Sequence, residues 1–408
     1  GDIQRILGVT ADVNGLIRTV QSSGDLSPWF LQLLPTLITN PARAFASMYM
    51  SVRAMANPRF YDQMMGSEWA QNVVARAPGL LLGRTSAAGE AFERVGGVAE
   101  PGSKLLAGQV VGREIPGVKG FFERSQAVFQ TAGDFARLSG ASAMLDMAER
   151  SGKVDQMVDF LNHSTGSISM RAMGIDPTQR ALESWIMFAP RYSRSSIALV
   201  GDLMGGQLAG REAANALGSM LLFGTAMYNS VSKLMGQEPE LDPRKGTFLT
   251  YEVEGQRIGV GTVFRSLLQV LGKIEAQAEG KEDFSLLKWD MENPLVRLAR
   301  GRTGPVASTA WDMVEGETFI GTSLSGINPL QYIGTRVLPF AISGFFMEHG
   351  DWTGESIEER VIGAAATGTG LRAFPLPERD VENRVAQERF GRNYNELTRS
   401  ERASLSTE

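Results

Sequence analysis

The chain contains two histidines, His163 and His349, which are its candidate catalytic bases and metal ligands. A serine nucleophile needs a histidine base within hydrogen-bond reach and a third group that orients this base. His163 falls in a turn after a predicted helix and His349 at a polar helix end, so we interpret both as turn or cap residues. Two histidines cannot form a multi-histidine metal cluster. The chain contains no cysteine, which excludes disulfides, thiolate zinc sites and cysteine nucleophiles.

Other catalytic patterns are incomplete. Glu-Ser pairs at 183–184 and 355–356 match one step of a lytic transglycosylase motif, but neither is followed by the GLMQ-like turn that supports such a site. Acidic residues are scattered along predicted helices and do not cluster for two metal ions. The glycine-containing segments 205–211 and 363–369 lack the lysine and hydroxyl residues that grip phosphate and magnesium. The sequence therefore predicts no enzyme, no cofactor, and no catalytic, cofactor-binding or metal-binding residue.

Charge gives a limited case for nucleic acid as a partner. The 40 basic and 45 acidic side chains leave a net charge of −5, whereas a protein that coats DNA usually carries a basic face. Two small arginine groups remain as candidate phosphate contacts, although solvated helix faces explain most such groups. The candidate nucleic-acid residues are Arg191, Arg194, Arg297, Arg300 and Arg302.

The composition of one segment would also allow a helix to insert into a lipid bilayer. Residues 213–231 contain no charged side chain over 19 positions, close to the roughly 20 residues that cross a bilayer core. We interpret this segment as a buried central helix of a bundle and keep membrane insertion as the alternative. The candidate lipid contacts are Leu217, Met220, Leu221, Leu222, Phe223 and Met227. A second apolar stretch, 337–347, is too short to span a bilayer.

Helical periodicity dominates the elements that would position these residues. Asn40-Pro41 predicts a helix start and Asn57-Pro58 its end, with one apolar face at Phe45, Met48, Val52 and Met55. Further helices are predicted over 118–149, 154–161 and 182–189, the last of which is broken at Pro190. The side chains expected to face inward in the long helix are Phe122, Val128, Phe129, Phe135, Leu138 and Leu145.

Strand patterning appears in one place only. Residues 247–261 predict a β-hairpin with a two-residue turn at Glu254-Gly255, packed on a helix over 263–274, and 275–283 predicts a linker. We therefore expect a mainly α fold, a multi-lobed helical assembly with one small β-hairpin. The expected lobes are an N-terminal helical lobe (1–75), a Gly-rich mobile segment (76–117), a central helical lobe with the hairpin (118–274) and a C-terminal helical lobe (284–408).

Four blocks of sequence resemble one known family. Residues 160–166 (FLNHSTG) followed by 188–195 (FAPRYSRS) are similar to the "INxATG" turn and "FSPRYxxS" helix of the large polyvalent protein-associated regions of bacteriophages. Residues 22–28 (SSGDLSP) resemble the family's "SxDLSxPxR" segment, although Trp29-Phe30 stands where arginine-glutamine is usual. The third block, 293–321, and the fourth, 390–398 (FGRNYNELT), resemble the "RxKxSPxxS" and "FGxxYxxLTxxE" segments, in the same order.

The resemblance implies where the protein is located rather than which reaction it catalyses. It suggests a structural virion component, a segment of a large internal or ejection protein that lies inside the virion and reaches the host cell envelope when the genome is released. The alternative is an accessory scaffold of a large polyvalent enzyme, a virion polymerase or a transglycosylase, whose active site lies outside these residues. The expected partners are other virion proteins, copies of the same chain, phage DNA and the host membrane after ejection. Since residue 1 is Gly, we expect a fragment of a longer chain.

Overall fold

The computed structural model shows a mainly α fold with a small β-hairpin, which confirms the predicted fold class. The structure describes residues 33–57, 59–83, 109–110, 113–114, 118–170, 173–176, 179, 182–183, 186–205, 207–234, 236–253, 256–260, 263–280, 293–316, 324, 328, 332, 371–375, 386, 389–392 and 397–398. The predicted apolar stretch 337–347, His349, the 22–28 block and most of 76–117 lie outside these residues.

The described ranges contain many helices, and those predicted to start at residues 41, 118 and 154 do start there. Their bounds are α1 Leu34–Thr39, α2 Pro41–Ala56, α3 Arg59–Met65, α4 Glu68–Arg76, α5 Val118–Arg150, α6 Val154–Ser164, α7 Pro190–Asp202, α8 Gln207–Leu234, α9 Val263–Ala278, α10 Pro294–Arg300 and α11 Pro305–Glu315. At the start of α2, the Asn40 side chain accepts a hydrogen bond from the Arg43 backbone N–H at 3.0 Å, as Asn40-Pro41 predicts. At Pro190 one helix starts, because proline fits the first helical turn.

The core is built around α5, whose residues 127–134 are all buried. A continuous hydrophobic cluster joins α4, α5, α6, α7 and α8 through side chains that include Val73, Leu138, Leu145, Met157, Leu161 and Leu199. The inward faces predicted for α5 and α6 are confirmed at Val128, Phe129, Leu138, Leu145, Met157, Val158 and Leu161. The long central helix thus fixes the positions of its neighbours.

The apolar face predicted on α2 is present but points away from this core. α2 packs on α5 through small buried residues, Ala44, Ser47, Ser51 and Ala54. Phe45, Val52 and Met55 are exposed, whereas half-buried Met48 packs against Ala132 and Ala136 of α5. Small residues let two helix backbones approach closely, so the larger side chains are left on the solvent side.

The predicted hairpin forms and gains a third strand. β3 (Thr250–Val253) pairs antiparallel with β4 (Gln256–Val260) in the predicted register, with Val253 opposite Gln256. β5 (Leu371–Pro375) adds to the other edge of β4, with Ile258 opposite Ala373. Another short pairing joins β1 (Gln109–Val110) to β2 (Arg113–Glu114). The prediction of strand structure in one place only is therefore wrong, because pairing with β5 depends on residues more than 100 positions away.

Two further expectations about local structure need correction. α9 continues to Ala278, so the first residues of the predicted linker 275–283 are helical. Alanine and glutamine there favour helix, and charge alone does not end one. In the segment 182–189, Leu182 and Ile186 are exposed rather than packed inward. That segment instead makes an isolated bridge between Met187 and Thr303.

Candidate functional site

The turn in the 160–166 block closes a buried polar network. Arg137, fully buried on α5, donates through Nη1 to Thr165 Oγ1 at 2.7 Å and to Ser167 Oγ at 2.8 Å. Its Nη2 donates to Asp134 Oδ1, one helical turn earlier. The other carboxylate oxygen of Asp134 accepts from the Tyr61 hydroxyl at 2.7 Å. The network therefore ties α3, α5 and the end of α6 together.

Electrostatics inside this network are balanced by hydrogen bonds. Burial raises the pKa of Asp134, while the Arg137 guanidinium, the Tyr61 hydroxyl and the Gly83 backbone N–H (2.6 Å) act in the opposite direction. Burial is the largest effect that raises the pKa of the Tyr61 hydroxyl above its usual range, and the second is the charge of the Asp134 carboxylate. Each group is held by a partner of complementary charge or polarity. The arrangement can orient and stabilise chain segments.

Asn162 extends the same bracing to the loop after α4. Its side-chain oxygen accepts from the Leu81 backbone N–H at 3.0 Å, and its Nδ2 donates to the Gly79 carbonyl at 3.1 Å. The asparagine of the motif thus fastens a loop about 80 residues earlier in the chain to α6. Sequence reasoning did not identify Tyr61, Asp134 or Arg137. The available signal was a charged pair, Asp134 and Arg137, three residues apart in a helix that the periodicity predicted to be buried.

The prediction that His163 lies in a turn after the helix is wrong, because the helix continues to Ser164. His163 lies in the last turn of α6, where its Nδ1 is 2.8 Å from Asp202 Oδ2 at the end of α7, and both side chains are mostly buried. Asp159 lies one turn earlier on the same helix. Burial raises the pKa of Asp159, with His163 lowering it and Asp202 raising it. The spacing of Asp159 and His163 is the sequence signal that could have indicated this cluster.

The structure brings the two predicted arginine groups close together. The Phe188 backbone N–H donates to the Arg302 carbonyl at 2.8 Å, and the Gly304 N–H donates to the Ile186 carbonyl at 2.6 Å. These bonds join the segment before α7 to the turn before α11, so the motif block that contains 188–195 adjoins the block 293–321.

The five arginines do not form one exposed row. Arg191 and Arg300 are buried, and Arg300 pairs with Asp312 at 3.0 Å and with Glu315 at 2.5 Å. Arg194 donates to both carboxylate oxygens of Glu183, the glutamate of the first Glu-Ser pair, at 2.6 and 3.1 Å. Arg302 is half-buried beside Ser266, and Arg297 is exposed. Contact between DNA phosphate and all five side chains would require the buried pairs to open. The nucleic-acid role stays a prediction, with Arg297 as its accessible residue.

α8 contains an exposed apolar cluster. Its first half is anchored by buried Ala213 and Ala216, and Tyr228 is buried near its end. Between them Leu221, Leu222 and Phe223 are exposed by 51%, 75% and 53%, and Leu217 and Met220 are half-buried. The expectation of a buried central helix is therefore wrong for residues 221–223, because no described element covers α8 at these three consecutive positions. The side chain of Met227 lies outside the described residues.

Two absences among the described residues bear on lipid and metal binding. Within these ranges, no helix is long and apolar enough to cross a bilayer. In the same part of the chain, no group of three or more histidine and acidic side chains could hold a metal ion. Comparisons with family models, with curated proteins and with solved structures found no match.

Proposed function

We propose that this chain is a non-enzymatic structural component of a bacteriophage virion, a segment of a large internal protein that leaves the particle with the genome. The observation that carries this proposal is the exposed apolar cluster of Leu221, Leu222 and Phe223 on a helix anchored at both ends. Soluble monomers seldom present clustered large apolar side chains without a docking role. Other virion proteins or copies of the chain are the partners that such a surface fits.

The role of the motif residues supports the same proposal. Asn162, Thr165 and Arg194, which belong to the blocks that resemble the polyvalent regions, hydrogen-bond to other parts of the chain. In these positions they stabilise the helical core. A rigid core with apolar surfaces outside is suited to packing within an assembly.

The proposal is tested on particles. Nuclease-treated virions, purified by density, are digested and this chain is quantified by mass spectrometry against the major capsid protein. We expect several copies per particle, and a fluorescent label on the chain is expected to enter host cells together with the genome. Absence from purified virions, with recovery instead on a polymerase or transglycosylase in the lysate, would contradict the virion role and favour the scaffold alternative.

A further inference from the structure

The outward face of α2 is a second apolar surface, separate from the cluster on α8. Its large side chains are Phe45, Tyr49, Val52 and Met55, which we call the α2 stripe. Phe45 and Tyr49 are more than 60% exposed. Their spacings of three and four residues place them along one side of a 16-residue helix, roughly 24 Å long at about 1.5 Å per residue.

The rest of the protein holds this stripe in its outward position. The opposite face of α2 is buried on α5 through small residues, and its helix start is capped by Asn40. Arg124 on α5 donates from Nη1 to the Met55 carbonyl at 3.4 Å, at the end of the helix. α2 is therefore fixed in place with the stripe on its outward side.

Positive charge accompanies the stripe. α2 contains two arginines and no acidic residue. The exposed Arg53 guanidinium lies 6.0 Å from the Tyr49 ring centroid and 4.4 Å from that of Phe60, and Arg124 is also exposed. On the adjacent α3, exposed Arg59 and Asp62 offset one another. This local excess contrasts with the net charge of −5 of the whole chain.

We propose that the α2 stripe, with Arg53 and Arg124, docks on the surface of an anionic lipid bilayer. Helices that lie in the bilayer interface combine bulky apolar side chains with flanking arginine or lysine, and their apolar face enters the headgroup boundary by about 5–10 Å. Tyrosine is favoured at this depth because its ring is apolar and its hydroxyl is polar. The arginines would lie at the level of the lipid phosphates.

Area and charge favour lipid over a second copy of the chain. Since a whole aromatic side chain covers about 150–250 Å², the exposed parts of the four stripe residues amount to roughly 400 Å². A stable protein interface needs about 800 Å² from each partner. Two copies that met through this ridge would also set arginines against arginines with no acidic residue of α2 to pair with them. A bilayer surface needs neither about 800 Å² of protein interface nor acidic residues of α2 to pair with the arginines. This inference does not depend on the virion role.

The test is flotation of the full chain with vesicles. One set contains phosphatidylcholine alone, and the other contains equal amounts of phosphatidylcholine and phosphatidylglycerol, each at low and high salt. We expect binding to the anionic vesicles that weakens with salt. Arg53→Gln and Arg124→Gln should each weaken binding about fivefold, and Phe45→Ser with Tyr49→Ser by at least about tenfold. These side chains are exposed, so thermal unfolding of the variants should match that of the wild type.

Two matched control variants test whether vesicle binding depends on α2. Arg150→Gln removes an exposed arginine elsewhere, and Val314→Ser removes an aliphatic side chain that is 87% exposed, so neither should change flotation. The proposal is overturned if the wild-type chain does not bind anionic vesicles at low salt, or if Leu222→Ser abolishes binding while the α2 variants retain it. Sedimentation velocity without lipid gives the third outcome: an oligomer that dissociates when Phe45 and Tyr49 are replaced identifies the stripe as a protein interface and overturns lipid docking.

Discussion

At the scale of single residues, the buried polar network around Asp134 and Arg137 is the feature on which the stability of the fold depends most strongly. Asp134 and Arg137 are both fully buried, and the partners that compensate their charges come from α3, the loop at Gly83 and the turn after α6. Taking a charge out of water is expensive, so the network stabilises the fold only as long as all partners are present. Loss of one member should therefore cost far more than loss of a surface ion pair.

The first prediction is that Arg137→Met destabilises the protein by about 3–5 kcal/mol, because it leaves the Asp134 carboxylate buried without its cation. Urea unfolding followed by circular dichroism measures the loss. Arg76→Met is the control, since Arg76 pairs with Asp146 and Glu149 on the surface and its removal should change stability little. Similar losses in the two variants would show that the network contributes no more than a surface pair.

At the scale of elements, two helical glycines should respond in opposite directions to the same change. Gly272 on α9 is buried, and a Cβ there would lie 2.6 Å from Cγ and 3.0 Å from Cβ of Pro243. Gly218 on α8 has no atom within 4 Å of the corresponding position. The absence of a side chain at Gly272 lets α9 approach the segment before β3, whereas Gly218 only adds flexibility to its helix.

The second prediction follows from this pair of positions. Gly272→Ala should destabilise by about 1–3 kcal/mol, because the rigid proline ring and the helix must move apart. Gly218→Ala should stabilise by roughly 0.5–1 kcal/mol, because alanine favours helix and limits the unfolded chain. Chemical unfolding of both variants and of wild type under one set of conditions is the measurement. Stabilisation by alanine at both sites would contradict the close approach at Pro243.

At the scale of the whole molecule, the distribution of exposed apolar side chains determines how the protein can associate. Large apolar side chains lie outside on α2 and α8, and the residues that pack α2 on α5 are small. Such a molecule buries enough to fold and still presents surfaces that favour association.

The third prediction is that the chain self-associates through the exposed cluster of α8. Sedimentation equilibrium should show an oligomer whose population rises with concentration. Leu222→Ser should weaken association at least about tenfold, because a leucine side chain no longer becomes buried. Val314→Ser, at an 87% exposed position of α11, is the matched control and should leave association unchanged. A monodisperse monomer at high concentration would contradict the prediction.

Local signals in the sequence determined much of the architecture. The Asn40-Pro41 and Asn57-Pro58 pairs bound α2, Pro190 begins α7, and periodicity identified the buried faces of α5 and α6. The hairpin at 250–260 was also predicted, since its strands and its turn are adjacent in the chain. These features depend on propensity, capping and turn chemistry over a few residues, and the sequence carries that information directly.

Only the tertiary structure decided which surfaces are covered and which charges are paired. Periodicity shows that Phe45, Val52 and Met55 share a face, but contact between α2 and α5 selected the face with small residues for burial. The same holds for the pairing of Arg300 with Asp312, the contact of His163 with Asp202 and the addition of β5 to β4. The physical reason is that burial and ion pairing depend on neighbours far away in the chain, and their positions follow from packing of the whole molecule rather than from local sequence.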